Sequence, residues 1–228
     1  AIGMAHAFEA DHLAAVGAML NRGEGRRSMM LKGAVWGLGH TAALFVICSA
    51  VVLLGLTISE RVGAALELAV GIMIFGLGAR LIWRLWRERV HIHVHDHGGH
   101  VHLHAHSHAG EAESHTASAH AHSHKQGHWA TLGVGLVHGA AGSAGLLVLT
   151  VAATDSVALA LVHFALFGIG SLLGMAALTV LASYPLGVVE RSATWMRGAI
   201  TLAIGMLALM VGSMVAFESA SALHLAGL

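Results

Sequence analysis

The sequence predicts an all-α, polytopic membrane protein with six transmembrane helices. Three observations predict it: apolar composition, long apolar runs, and basic residues confined to alternate loops. Of 228 residues, 56% are hydrophobic and 11% charged, with a mean hydropathy of +0.74, whereas a soluble domain carries about a quarter charged residues. Apolar runs cover 1–20, 33–56, 62–83, 129–153, 156–183 and 195–217. Most reach the ~20 residues that a helix needs to cross ~30 Å of hydrocarbon. The first run begins at Ala1 with no basic leader or cleavage pattern and is only just long enough, so native residues are expected upstream.

Basic residues in short loops face the cytoplasm. They follow the first run (Arg22, Arg26, Arg27, Lys32), the third (Arg80, Arg84, Arg87, Arg89, Lys125) and the fifth (Arg191, Arg197), and only Arg61 falls on the other side. This orients the chain in the cell inner membrane with both termini outside. Trp36, Trp83, Trp86, Trp129, Tyr184 and Trp195 fall at the predicted cytoplasmic ends, where amphipathic rings anchor at headgroup level. The organisation read from this is a three-helix half over 1–83, a cytoplasmic loop over 84–128 and a second three-helix half over 129–228.

The halves resemble one another. Gly3-Met4-Ala5-His6 followed by Val16 matches Gly135-Leu136-Val137-His138 followed by Val148, and Gly71 and Gly78 match Gly205 and Gly212. An odd number of spans per half inverts the second copy, the arrangement of transporters whose site lies near the midplane. Chance similarity among Gly-, Ala- and Leu-rich spans competes with this reading. The recurring glycines read as close helix packing in lipid. The lone Cys48 excludes a disulfide framework and reads as a small core residue. No nucleic-acid partner is expected.

An ionisable side chain within the bilayer is costly unless it is paired or lines a watery cavity. The first span holds four within seven positions: His6, Glu9, Asp11 and His12. Imidazole with carboxylate suits divalent late first-row metals. At ~100° per residue, Glu9 lies about 60° round from His6 and His12 about 60° further, while Asp11 points about 140° away. A straight helix therefore cannot aim all four at one ion. Either Asp11 orients the others from behind or the helix is locally unwound; a polar network that merely locks helices together is the plain competitor. His40 and His138, each close after a glycine in the second and fourth spans, are further candidate ligands. His163 and Glu67 read as hydrogen-bonding partners, and Ser143, Thr150 and Ser171 as hydroxyls bonded back to their own helices.

The run His6-Ala7-Phe8-Glu9-Ala10-Asp11-His12 resembles the His-x4-Asp-His signature of the nickel/cobalt transporter family, and Gly39-His40-Thr41 resembles its second motif. Six spans and Val137-His138-Gly139-Ala140-Ala141-Gly142-Ser143 are most similar to its shorter, urease-accessory-type members. The resemblance implies His6, Asp11, His12 and His40 as the path of a nickel or cobalt ion, with Glu9 where an Asp is more usual. It implies import of Ni2+ or Co2+ as cargo, no prosthetic group, and a cytoplasmic metallochaperone or a urease or hydrogenase maturation protein as recipient. An exporter conferring resistance would use the same ligands. His6-x4-Asp11 also resembles the catalytic pair of membrane acyltransferases, but no soluble domain accompanies it, and no enzyme activity is expected.

Residues 91–128 hold 14 of the 20 histidines. By composition this is a disordered metal-binding tract, with His91, His93, His95, His97, His100, His102, His104, His106 and His108 as its densest candidate ligands. Imidazoles titrate near pH ~6.5, so the tract should release metal below that pH.

Overall fold

The computed structural model describes residues 2–19, 25–87, 90–96, 101–107, 128–154, 156–190 and 194–225. In chain order these form α1 (Ile2–His6), α2 (Ala10–Met19), α3 (Arg26–Leu54), α4 (Glu60–Arg87), β1 (Val90–Asp96), β2 (Val101–Ser107), α5 (His128–Ala153), α6 (Val157–Glu190) and α7 (Thr194–Leu225). Each of α3 to α7 is long and apolar enough to cross a membrane. Their outer faces carry large apolar side chains, among them Leu38, Ile72, Leu166, Met210 and Phe217. An apolar surface of that extent needs lipid to cover it, and the chain is a membrane protein.

The helices extend beyond the apolar runs because good helix formers continue into the flanks. At Gly55, with φ of 63°, α3 ends in a left-handed cap whose N–H donates to the Val51 carbonyl. α3 lies between α5 and α6, α4 packs along α7, α1 lies against α6, and α2 against α7. Small residues set these approaches. A Cβ on Gly3 would meet the Phe167 carbonyl and Ser171 amide of α6, and one on Gly135 the Trp36 carbonyl and His40 amide of α3. Between α4 and α7, Gly78 abuts the Gly205 carbonyl and Gly212 the Gly71 carbonyl.

Three apolar clusters fill the bundle. One joins Ala7, Ala15, Val16, Met19, Met29, Trp36, Met175 and Leu178; a second joins Leu44, Cys48, Leu146, Leu147, Ala160 and Phe164; a third joins Ala14, Val70, Ile74, Ala208 and Val211. Cys48 is fully buried and donates weakly to the Ser143 carbonyl, the core role its position suggests.

Three expectations change. The first span is not one helix, because α1 and α2 are separated at residues 7–9. There the backbone turns through Phe8 N–H to Ala5 O and Glu9 N–H to His6 O, before Leu13 N–H to Glu9 O restores the α-helical spacing. Trp36 is no headgroup anchor: it is fully buried, whereas Trp83, Trp86, Trp129 and Tyr184 are exposed as an interfacial belt requires. The side chain of Trp195 lies outside the described residues. The histidine-rich tract is not structureless throughout, for β1 and β2 pair antiparallel, with His91 opposite His106, His93 opposite His104 and His95 opposite His102. Val90, Ile92, Val94, Val101 and Leu103 alternate with histidine there, a period-two pattern of strand-favouring residues. His97, His100 and His108 lie outside the described residues.

Candidate metal centre

The break at residues 7–9 lets α1 and α2 aim their polar side chains at one point, which a straight helix could not do. His6 ends α1, while Asp11 and His12 lie in the first turn of α2. Facing them, α3 contributes His40 from its middle and α5 contributes His138. α3 and α5 approach closely here, because Gly135 and Gly139 leave room for the backbone at Trp36 and His40. Four imidazoles result in one cluster, with ring centroids 4.6 Å apart for His6–His12, 5.4 Å for His6–His40, 5.3 Å for His12–His40 and 4.1 Å for His12–His138. His12, His40 and His138 are buried.

Carboxylates fix which nitrogens are available. Asp11 Oδ1 is 2.9 Å from His12 Nδ1, Asp11 Oδ2 is 2.8 Å from His138 Nε2, and Glu9 Oε1 is 2.9 Å from His6 Nδ1. An ionised carboxylate only accepts, so each facing nitrogen carries the proton and the opposite ring nitrogen keeps a lone pair. Those opposite nitrogens, His6 Nε2, His12 Nε2 and His138 Nδ1, have no hydrogen-bond partner, nor has either nitrogen of His40. Each orphaned buried polar atom costs about 1–3 kcal/mol. A neutral His40 ring can offer one of its two nitrogens as a lone-pair donor, so each of the four rings has a nitrogen free to meet an electrophile.

One ligating atom from each of His6, His12 and His40 lies within 4.8 Å of the others. Asp11, His12 and His138 form a second group of that kind, but there both Asp11 oxygens already face imidazole nitrogens. Three imidazole nitrogens suit a divalent late first-row ion, whereas calcium or magnesium requires oxygen ligands. A Cβ on Gly142 would stand 3.7 Å from His6 Nε2 and 3.8 Å from His40 Cε1, so this glycine borders the space between the donors. Gly142→Leu should place methyl groups there, at an overpacking cost of about 1–2 kcal/mol. Roughly tenfold weaker nickel binding by calorimetric titration, with Gly142→Ala near wild type, is the expected result.

The helix is broken, and the two Asp11 oxygens face the imidazoles of His12 and His138. Glu9 holds His6 and belongs to neither ligating group. The acyltransferase-like pair does not form, because His6 Nδ1 faces Glu9 and His6 Nε2 has no hydrogen-bond partner. Ser143 bonds back to the Ala140 carbonyl, and Glu67 accepts from Ser219, as their positions suggest. Sequence reasoning missed Gly142, and also Glu218 and Ser219, which line a cavity beside the histidines. It assigned Trp36 to the wrong environment: its ring lies 5.5 Å from that of His12 and 5.9 Å from that of His138.

The cavity has a volume of about 550 Å3; His6, His12 and His138 line it, together with Ile2, Glu67 and Glu218. It opens where α1 and α4 begin and α7 ends. Toward the opposite end lie Trp36, Val16, Met19, Met29, Met175 and Leu178, packed together. The space found there, between Lys32, Trp36, Thr131 and Thr179, is about 10 Å3, no more than a single water needs.

Fold and donor set define a helical membrane protein with a cluster of buried imidazole donors reached from one end. Over 186 residues, 81% of this chain and 74% of the relative, the sequence is 29% identical to the urease accessory protein UreH of Bacillus sp. (strain TB-90). No family model and no solved structure matches it. The similarity to UreH supports the nickel/cobalt-transporter type of family that the His-x4-Asp-His run resembles, on its urease-accessory side.

Proposed function

We propose that the protein carries nickel, or cobalt, across the cell inner membrane into the cytoplasm, with the ion held midway by His6, His12 and His40 and steadied through Asp11, Glu9 and His138. The carrying observation is the convergence of His6, His12 and His40 from three segments of the chain, each offering a ligating nitrogen within 4.8 Å of the others and each with a ring nitrogen that has no hydrogen-bond partner. A polar network serving only to lock helices would satisfy its own donors and acceptors; this one leaves them open. α1 and α2 together make the sixth, broken span, as in transporters whose interrupted helices meet the ion.

Pairs of contacts support two inverted halves. Gly3 meets Phe167 and Ser171 as Gly135 meets Trp36 and His40, and Gly78 meets Gly205 as Gly212 meets Gly71. In this scheme His138 answers His6, but Ser171 stands where the first half has His40 and Ala144 where it has His12, so one ion site serves both halves. Exchange of conformation between the halves would close the open end and part the cluster around Trp36, giving alternate access. The distribution of Lys and Arg puts that cluster on the cytoplasmic side. His91, His93, His95, His102, His104 and His106, at facing register positions of β1 and β2, would then receive the ion before transfer to a cytoplasmic metallochaperone or a urease or hydrogenase maturation protein.

Expression in cells grown at limiting nickel is expected to raise whole-cell nickel several-fold, as measured by elemental mass spectrometry. Lower nickel in expressing cells would overturn import and favour efflux.

A further inference from the structure

Three glutamates and Asp11 line the cavity beside the histidines, and among the described residues no Lys or Arg lines it. Glu9 and Asp11 are engaged with imidazoles. Glu67, in the second turn of α4, and Glu218, in the last turns of α7, are not, and both are exposed. Glu67 accepts one bond, from the buried Ser219 Oγ at 3.5 Å, which holds the carboxylate at the wall. At the far end of the same space lie His12 and His138, both at least nine-tenths buried, each with a ring nitrogen that has no partner. Carboxylates at the mouth and orphaned imidazoles at the base form a graded donor path in one cavity.

We infer that this cavity is an acidic vestibule that captures the hydrated divalent cation, with Glu67 and Glu218 as its carboxylates, before the ion sheds water to the histidines. The inference rests on the reading of the histidine cluster as the cargo site and assigns the outer step to residues that no motif marks. Size permits it: at ~30 Å3 per water a hexahydrated ion needs roughly 180 Å3, well within the 550 Å3 available. Charge favours it, because a cleft lined by one sign with low-dielectric walls concentrates counter-ions and raises their association rate. Oxygen donors suit the hydrated ion, and nitrogen donors the partly dehydrated one. The acidic walls repel anions, so the vestibule also filters by charge before the imidazoles select by ligand type.

The test compares the full-length protein with Glu67→Gln/Glu218→Gln and with His12→Ala, all purified in detergent. Stopped-flow mixing with nickel chloride gives the association rate, and equilibrium dialysis the bound nickel at saturation. The glutamine variant should bind the same amount at saturation but about tenfold more slowly at low ionic strength. That difference should shrink toward unity as salt screens the carboxylates, and Glu218→Lys should slow binding further. An unchanged association rate in the glutamine variant, or lost saturation stoichiometry, would overturn the vestibule. His12→Ala distinguishes the two readings: an unchanged number of nickel ions bound per chain in that variant removes the cargo site itself, whereas one ion fewer, the histidine-rich tract keeping its own, with an unchanged rate in the glutamine variant removes only the vestibule.

Discussion

His12→Ala is expected to weaken nickel binding at the membrane site more than about 100-fold, apart from the ions the histidine-rich tract holds, and to abolish nickel accumulation in cells. His12 is fully buried, and its ring is central to the cluster, lying 4.6 Å from His6, 5.3 Å from His40 and 4.1 Å from His138. It supplies one of the three ligating atoms within 4.8 Å of each other, its Nε2 has no hydrogen-bond partner, and its Nδ1 faces one oxygen of Asp11. Loss of the ring removes a ligand and releases the carboxylate that also holds His138. Substituting a residue that merely supports a ligand costs roughly 10–100-fold, so loss of a central ligand should exceed that range. Equilibrium dialysis with nickel measures it, and a dissociation constant within about threefold of wild type would remove His12 from the site. Thermal unfolding in detergent separates this from collapse: the substitution leaves a space next to an existing cavity, so the nickel-free variant should unfold within a few degrees of wild type.

Much of this site is legible in the amino-acid sequence, because ionisable groups in apolar helices are expensive and therefore conspicuous. His6, Asp11, His12, His40 and His138 stand out on that ground alone. The break between α1 and α2 is one of the two outcomes that the angular arithmetic leaves open, since a straight helix would turn Asp11 away from the face of His6 and His12. Other features are silent in sequence. Trp36 sits where the charge pattern puts the interface, and only the packing of α2, α3 and α6 shows that it seals the space beneath the histidines. Gly142 resembles the many glycines that only let helices approach, yet its missing side chain borders the donors. Glu218 is a lone acid near a helix end, and its place in the cavity depends on α4, α5 and α7 meeting. The hairpin is written in the alternation of histidine with Val, Ile and Leu, but the low complexity of the tract outweighs that period-two signal.

Asp11→Ala is expected to cost about 100-fold in nickel affinity, and Asp11→Asn about tenfold, although Asp11 lends the ion no atom in this reading. Its two oxygens hold His12 Nδ1 and His138 Nε2 at 2.9 Å and 2.8 Å, and Oδ1 also accepts from the His12 backbone N–H at 2.8 Å. The alanine variant strands two buried N–H groups, each costing about 1–3 kcal/mol, and frees both rings to turn. Asparagine keeps the shape and one acceptor, but its amide N–H2 faces the second imidazole. That ring must then present a lone pair to the amide and its proton toward the ion, or turn away. Glu9→Gln should be milder, because the amide oxygen can still accept from His6 Nδ1 and Glu9 is more than half exposed. X-ray absorption of the nickel-loaded proteins distinguishes steadying from ligation. If Asp11 steadies, the asparagine variant keeps its full set of oxygen neighbours while its imidazole scattering becomes more disordered. If Asp11 ligates, one oxygen neighbour disappears and the imidazole count stays the same. The second result would move the ion from the His6–His12–His40 face to the Asp11–His12–His138 face, about one ring's breadth across the same cluster.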